Sequence, residues 1–231
     1  MGAHYPTIRG VGAMLGAAGS ITHTIGGTSG ISEEGDLILI FLESANQAFT
    51  PVTGYLQAPS SPQGRGTAAA ANATRLTIFY KIADGTETTY VTGDSGDHNA
   101  VASLVISNVD KFDPFDANAG TNANAAAVTV TCSSVTTTRA ECLIINAIAT
   151  DYDVASTNAF TNPTNANLTS LTERIDGTTA QQDGGGLGVF TGLKGTAGST
   201  GSTTVTHVTP AEEICEITLA IAPKRRHIAI T

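Results

Sequence analysis

The chain has 231 residues, 41% of them hydrophobic, which is enough to bury a substantial core and too apolar for a disordered polar chain. Its net charge is −9 and the few basic residues are scattered until the end, so there is no basic stripe to hold nucleic acid. Charged residues make up only 13%, leaving the polar surface to Thr, Ser and Asn, which favour strands and tight turns.

Met1 to Tyr5 reads as a short arm, and Gly10 to Ala18 is apolar but broken by glycines. There is thus neither the charged region and apolar core of a signal peptide nor a membrane span, and synthesis in a cytoplasm is expected. Thr7 to Met14 and Ser20 to Ile25 are two candidate strands. After a Gly-rich loop comes the longest apolar run, Asp36-Leu-Ile-Leu-Ile-Phe-Leu-Glu-Ser44. Its length, its Ile and Phe content and the preceding Gly35 favour a buried strand.

Residues 58 to 74 form a long excursion without large apolar side chains, which cannot build a core of its own. Arg75 to Ile82 alternates, with Leu76 and Ile78 on one face and Thr77 and Phe79 on the other. Asp84-Gly85 reads as a hairpin turn. A Thr-rich strand and the apolar run Val101 to Ile106 follow, and residues 110 to 125 cross to the second part of the chain.

There the pattern returns. Glu141-Cys-Leu-Ile-Ile-Asn-Ala-Ile-Ala149 copies the first apolar run, and Thr150 to Asn167 is a second excursion. Then follow Leu168 to Arg174, a strand at Leu187 to Leu193, a Gly-rich turn, Thr203 to Thr206 and a closing strand at Ile214 to Ile221. The chain is one β-rich half repeated with drift. It predicts an all-β, two-sheet antiparallel sandwich of jelly-roll type. We expect a single domain over 1–231, with arms at 1–5 and 224–231 around a sandwich at 6–223.

Four stretches invite a chemical reading. Gly93-Asp-Ser-Gly96 carries the letters around the nucleophile of trypsin-like proteases. His4 and His23 lack the matching context, however, and the serine lies far from the chain end, so a tight turn is expected at Ser95. Gln182-Asp-Gly-Gly-Gly-Leu-Gly188 enters a strand rather than a helix, which marks a close sheet approach and not a phosphate loop. Asp110, Asp113 and Asp116 present three carboxylates, but without the alternate-residue spacing of a calcium loop. The odd three cysteines, Cys132, Cys142 and Cys215, read as reduced, buried thiols. No catalytic residue, cofactor or metal is expected.

The last segment, after Pro223, concentrates Lys224, Arg225 and Arg226 and then places Ile228 and Ile230. It reads either as a frayed, solubilising tail or as a partner-binding arm that docks on an acidic neighbouring subunit, and the apolar Ile228-Ala-Ile230 favours docking.

Gly35 to Tyr55 (Gly-Asp-Leu-Ile-Leu-Ile-Phe-Leu-Glu-Ser-Ala-Asn-Gln-Ala-Phe-Thr-Pro-Val-Thr-Gly-Tyr) resembles a family of tailed-bacteriophage virion structural proteins. Ser61-Pro-Gln-Gly64, Ala73 to Ile82, Asn165 to Arg174, Gly184 to Gly188 and Leu219-Ala-Ile-Ala-Pro223 continue the resemblance, which spans roughly 31 to 223. Tyr55 stands where that pattern usually has Trp. The resemblance implies a jelly-roll or lectin-like sandwich without a catalytic constellation. The protein would sit on the exterior of the virion capsid as a decoration (cement) protein. Its partners would be the major capsid protein and itself, as a homo-trimer or homo-dimer. The alternative is a tail-fibre or capsid-surface module that binds host glycans through Tyr55, Tyr80, Tyr90 and Tyr152.

Overall fold

The computed structural model describes residues 4–28 and 30–225, with the side chains of 123–127 and of 211 and 212 left aside. In chain order the strands are β1 (Thr7–Ala17), β2 (Thr22–Thr24), β3 (Leu37–Ser44), β4 (Leu56–Gln57), β5 (Gln63–Arg65), β6 (Thr74–Ile82), β7 (Thr89–Val91) and β8 (Asn99–Ser107). The second half contributes β9 (Phe115–Cys132), β10 (Thr136–Thr137), β11 (Cys142–Thr150), β12 (Phe160–Thr164), β13 (Thr169–Thr179), β14 (Gly185–Lys194), β15 (Gly198–Ser199) and β16 (Thr203–Ile221). No α-helix occurs among the described residues.

Two six-stranded antiparallel sheets carry the structure. The first has the order β1-β8-β3-β6-β4, with β5 also on β6. The second has the order β12-β16-β11-β14-β13, with β9 also on β16. The path β9-β16-β11-β14 therefore repeats β1-β8-β3-β6 strand for strand. The sequence repeat is a topological repeat. Each half keeps to its own sheet, and the alternation of strands between sheets that defines a jelly roll is not confirmed.

The apolar runs become central strands because both of their faces are covered. In β3, Leu37, Leu39 and Phe41 point inward, where Leu76, Ile78, Leu104 and Ile106 join them. From the other sheet they meet Leu143, Ile145, Leu187, Val189, Ile217 and Leu219 in one shared core. Each such side chain contributes about 1.5–3 kcal/mol when fully buried. The opposite face of β3, with Ile38, Ile40 and Leu42, packs on Phe79, Tyr55, Tyr90 and Ile25. Outside β11, Ile148 packs with Phe160 and Phe190, and Ile144 with Leu168 and Val135. Gly35, at φ 89°, makes the turn into β3, and Ser44 closes the strand by donating its hydroxyl to the Gln47 carbonyl at 2.7 Å.

Three elements differ from expectation. The segment after Asp84-Gly85 does not continue as a strand on β6; β7 pairs with β2 in a separate ribbon, and Glu87 turns inward to Lys81 and Ser32. The mid-chain crossing ends at Pro114, and 115 onward is β9, which the register holds to β16 from Phe115↔Ile221 to Cys132↔Thr203. Thr203 to Thr206 and Ile214 to Ile221 are parts of one strand, β16. No described helix is long and apolar enough to cross a membrane.

Candidate functional site

The two halves join at one end of the sandwich, and the last described residues, 222–225, lie there too. Asn108 leaves β8 with φ 59°, and Val109 bridges to Pro223. The Asp110 amide donates to the Ala222 carbonyl at 3.0 Å, the Ala222 amide to Pro114 at 2.8 Å, and the Lys224 amide to Asn108 at 2.8 Å. The crossing and residues 222–224 are thus stitched to each other by backbone bonds.

Three carboxylates and two guanidiniums are built on that frame. Arg139 Nη1 donates to Asp110 Oδ2 at 2.9 Å, its Nη2 pairs with Asp113, and its Nε lies 3.6 Å from Asp116 Oδ1. Arg225 Nε pairs with Asp110 Oδ2 at 2.5 Å, and its Nη2 lies 3.8 Å from Asp113. Asp116 also accepts from the Thr138 amide at 2.7 Å and the Thr138 hydroxyl at 2.6 Å. Burial pushes the Asp110 carboxyl up, but Arg225, the Phe112 amide and Arg139 together hold it below its ordinary value. The three aspartates are therefore answered by cationic side chains. Among the described residues no group of three or more His, Cys, Asp or Glu is arranged to hold a metal ion.

This network presents an aromatic side chain to solvent. The Phe112 amide donates to Asp110 Oδ1 at 3.2 Å in a tight turn, and the ring stands 84% exposed, with Lys111 Nζ 5.4 Å from its centroid. Beside it opens a cleft of about 640 Å³, lined among others by Arg9, Asp36, Val109, Phe112, Lys224 and Arg225. Arg9 is itself engaged, with Nε 2.7 Å from Asp36 and Nη1 2.8 Å from Glu33. The surface has a stiff, charge-paired floor and one projecting ring.

Of the arm residues singled out in the sequence, Lys224 and Arg225 belong to this surface, and Arg225 is paired within its own chain. Arg226, Ile228 and Ile230 lie outside the described residues, as does the start of the N-terminal arm. Phe112 was not singled out, although an aromatic between two aspartates in a crossing segment is a visible signal.

Ser95 sits in a loop just before a bend at Gly96-Asp97, not in a hydrogen-bonded tight turn. Its hydroxyl donates to the His98 carbonyl at 2.9 Å and contacts Asn99 Oδ1 at 2.5 Å, while His23 pairs with Ser103 Oγ at 2.9 Å. The three cysteines are free and buried, and burial, followed by the nearby Asp116, pushes the Cys142 thiol up to about 12. The glycines at 185, 186 and 188 lie in β14, where a Cβ on Gly185 would come within 2.2 Å of Glu43 Oε2 and one on Gly188 within 2.9 Å of the Phe160 ring. Tyr55 and Tyr90 are core residues whose rings meet edge to face at 5.0 Å, so they cannot face a sugar. Tyr80 packs on Phe115.

A second constellation was invisible in the sequence. His98 lies between two carboxylates, with Nε2 2.9 Å from Glu43 Oε2 and Nδ1 2.9 Å from Asp97 Oδ2; Glu43 and His98 are wholly buried. Thr74 donates its hydroxyl to Glu43 at 3.0 Å, and the Asp183 amide donates to Asp97 at 3.3 Å. Burial opposes the imidazolium, yet the two carboxylates outweigh it and raise the His98 pKa to about 9. Burial raises the Glu43 carboxyl as well. With no solvent access at Glu43 or His98, this triad ties β3 to β14 and its preceding loop.

Comparison with protein-family models and with curated proteins finds no match to the chain.

Proposed function

We propose that the chain is a non-enzymatic structural protein of a tailed-bacteriophage particle, a capsid decoration (cement) protein that binds the outer surface of the major capsid protein lattice. The observation that carries this reading is Phe112, 84% exposed on a turn stiffened by the Asp110–Arg139–Asp113 network. A rigid aromatic held in solvent costs little entropy to dock and is the usual kind of anchor at a protein interface. Lys111 and Lys224 beside it add positive charge that draws a partner's acidic groups, while Arg225 pairs with Asp110. The resemblance of 35–55 and the later motifs to phage virion proteins supplies the setting. Many equivalent sites on a capsid strengthen such contacts without any one being tight.

The test is binding of the purified protein to capsids that lack it. Phe112→Ala is expected to lower occupancy at least about tenfold, the loss of one anchor residue. Removal of 224–231 is expected to lower it further. Unchanged occupancy in both would reject this surface.

One observation favours the adhesin reading. Tyr152 lines an open pocket of about 510 Å³ with Asp151, Asp153 and Asn72, an aromatic among hydroxyl-binding groups. A glycan array in which Tyr152→Ala changes nothing would remove it.

A further inference from the structure

The strand β9 is 18 residues long, and among the described residues its only strand partner is β16. Half of its backbone donors and acceptors face β16 and the other half face outward. Exposed edges of this kind are normally guarded against pairing with another chain by shortness, charge, proline, bulges or a covering element. The other edges of the two sheets carry such guards. β4 and β5 have two and three residues. β12 is five residues long and contains Pro163. β13 carries Glu173, Arg174 and Asp176, and it packs against β1, with Met14 over Gly177 and Thr179 over Gly16.

The outward edge of β9 is different. Between Asp116 and Arg139 the chain has neither a charged residue nor a proline. The register breaks of β9 against β16 fall between Phe115 and Ala117 and beyond Asn124, so Ala117 to Asn124 pairs without interruption with Ala220 to Glu213. Asn118, Thr121 and Asn122 in that run are exposed. No described backbone hydrogen bond from another segment reaches it.

We infer that the free edge of β9 at 117–124 is a homodimerisation site, where a second copy of this chain adds its own β9 antiparallel to form one sheet continuous across a two-fold axis. Antiparallel pairing of a strand with itself is self-complementary, since each outward amide meets an outward carbonyl of the other copy. Charge at this edge permits the same occupant. Two chains of net charge −9 repel, and an uncharged strand is where they can approach without setting like charges opposite each other. The inference rests on the sheet topology and is independent of the capsid assignment.

The experiment is sedimentation equilibrium of the full chain and of Asn122→Lys, Asn122→Asp and Asn122→Gln. The wild type and Asn122→Gln are expected at twice the mass of one chain. Both charged variants are expected to weaken the dimer about 100-fold, because either sign puts a charge into the uncharged seam and the two copies of position 122 lie about 10 Å apart across the axis. Amide exchange supplies a readout that needs no substitution: protection at 117–124 should rise with protein concentration. A monomeric wild type, or dimers that survive both charged variants with exchange independent of concentration, overturns the site. Neither result bears on the virion measurement that tests the capsid reading.

Discussion

His98 Nε2 lies 2.9 Å from Glu43 Oε2 in a position that excludes solvent from both side chains. Glu43 belongs to β3, His98 immediately precedes β8, and β14 crosses above them with a glycine, Gly185, where a Cβ would strike the carboxylate. The pair is a charged joint inside an otherwise apolar sandwich. Its geometry survives because Thr74 and Asp97 satisfy the remaining lone pair and proton.

The joint makes stability depend on pH in the alkaline direction. His98 holds its proton to about 9 when folded, against an ordinary value of 6.5, so the folded state binds more protons between those limits. The raised Glu43 carboxyl acts with the same sign. The His98 contribution is fully present below pH 6.5 and is lost as pH rises through 9, on the order of 3 kcal/mol. Urea unfolding at pH 6 and pH 10 checks this, and equal stabilities would contradict it.

Breaking the joint costs more than titrating it. Glu43→Ala leaves the imidazole buried with one carboxylate and is expected to destabilise by about 3–5 kcal/mol. Gly185→Ala forces its methyl against the same carboxylate and is expected to cost about 1–3 kcal/mol. Chemical denaturation of both variants measures the difference.

The aspartates at 110, 113 and 116 are paired with guanidiniums, and we expect no metal to bind among them. Neither calcium nor a chelator should move the thermal midpoint of the protein. Arg139→Ala should lower stability by about 3 kcal/mol, because the Asp116 carboxylate stays buried without a cation and Asp110 keeps only Arg225. A calcium-dependent rise in the midpoint of the wild type would contradict the assignment.

Phe112 has no packing role that its removal would expose. Phe112→Ala should leave stability within about 0.5 kcal/mol while lowering capsid occupancy, and thermal melting beside a capsid-binding assay separates the two effects.

The repeated halves were legible because β3 and β11 are covered on both faces, which writes a continuous apolar run into the sequence at Leu37 and again at Cys142. The faces of β6 were legible for a related reason: Leu76 and Ile78 enter the shared core while Phe79 enters the outer layer. β9 was not, since its Ala, Asn and Thr residues carry no alternation, and register with β16 makes it a strand. Tyr55 and Tyr90 looked like surface aromatics, but the loops that cover β3 needed them inside. The joint of Glu43, His98 and Asp97 spans 55 residues and depends on tertiary contact alone. Its one local trace is a glutamate inside the longest apolar run. At the candidate site, Lys224 and Arg225 were legible from charge density, whereas Phe112 became visible once Arg139 was seen to stiffen its turn.

The central claim is that this protein covers a capsid, and its copy number in purified virions tests that most directly. Quantitative mass spectrometry against the major capsid protein is expected to give parity or a simple fraction of it. A few copies per particle would move the protein to the tail and favour glycan binding, and absence from the virion would contradict the account.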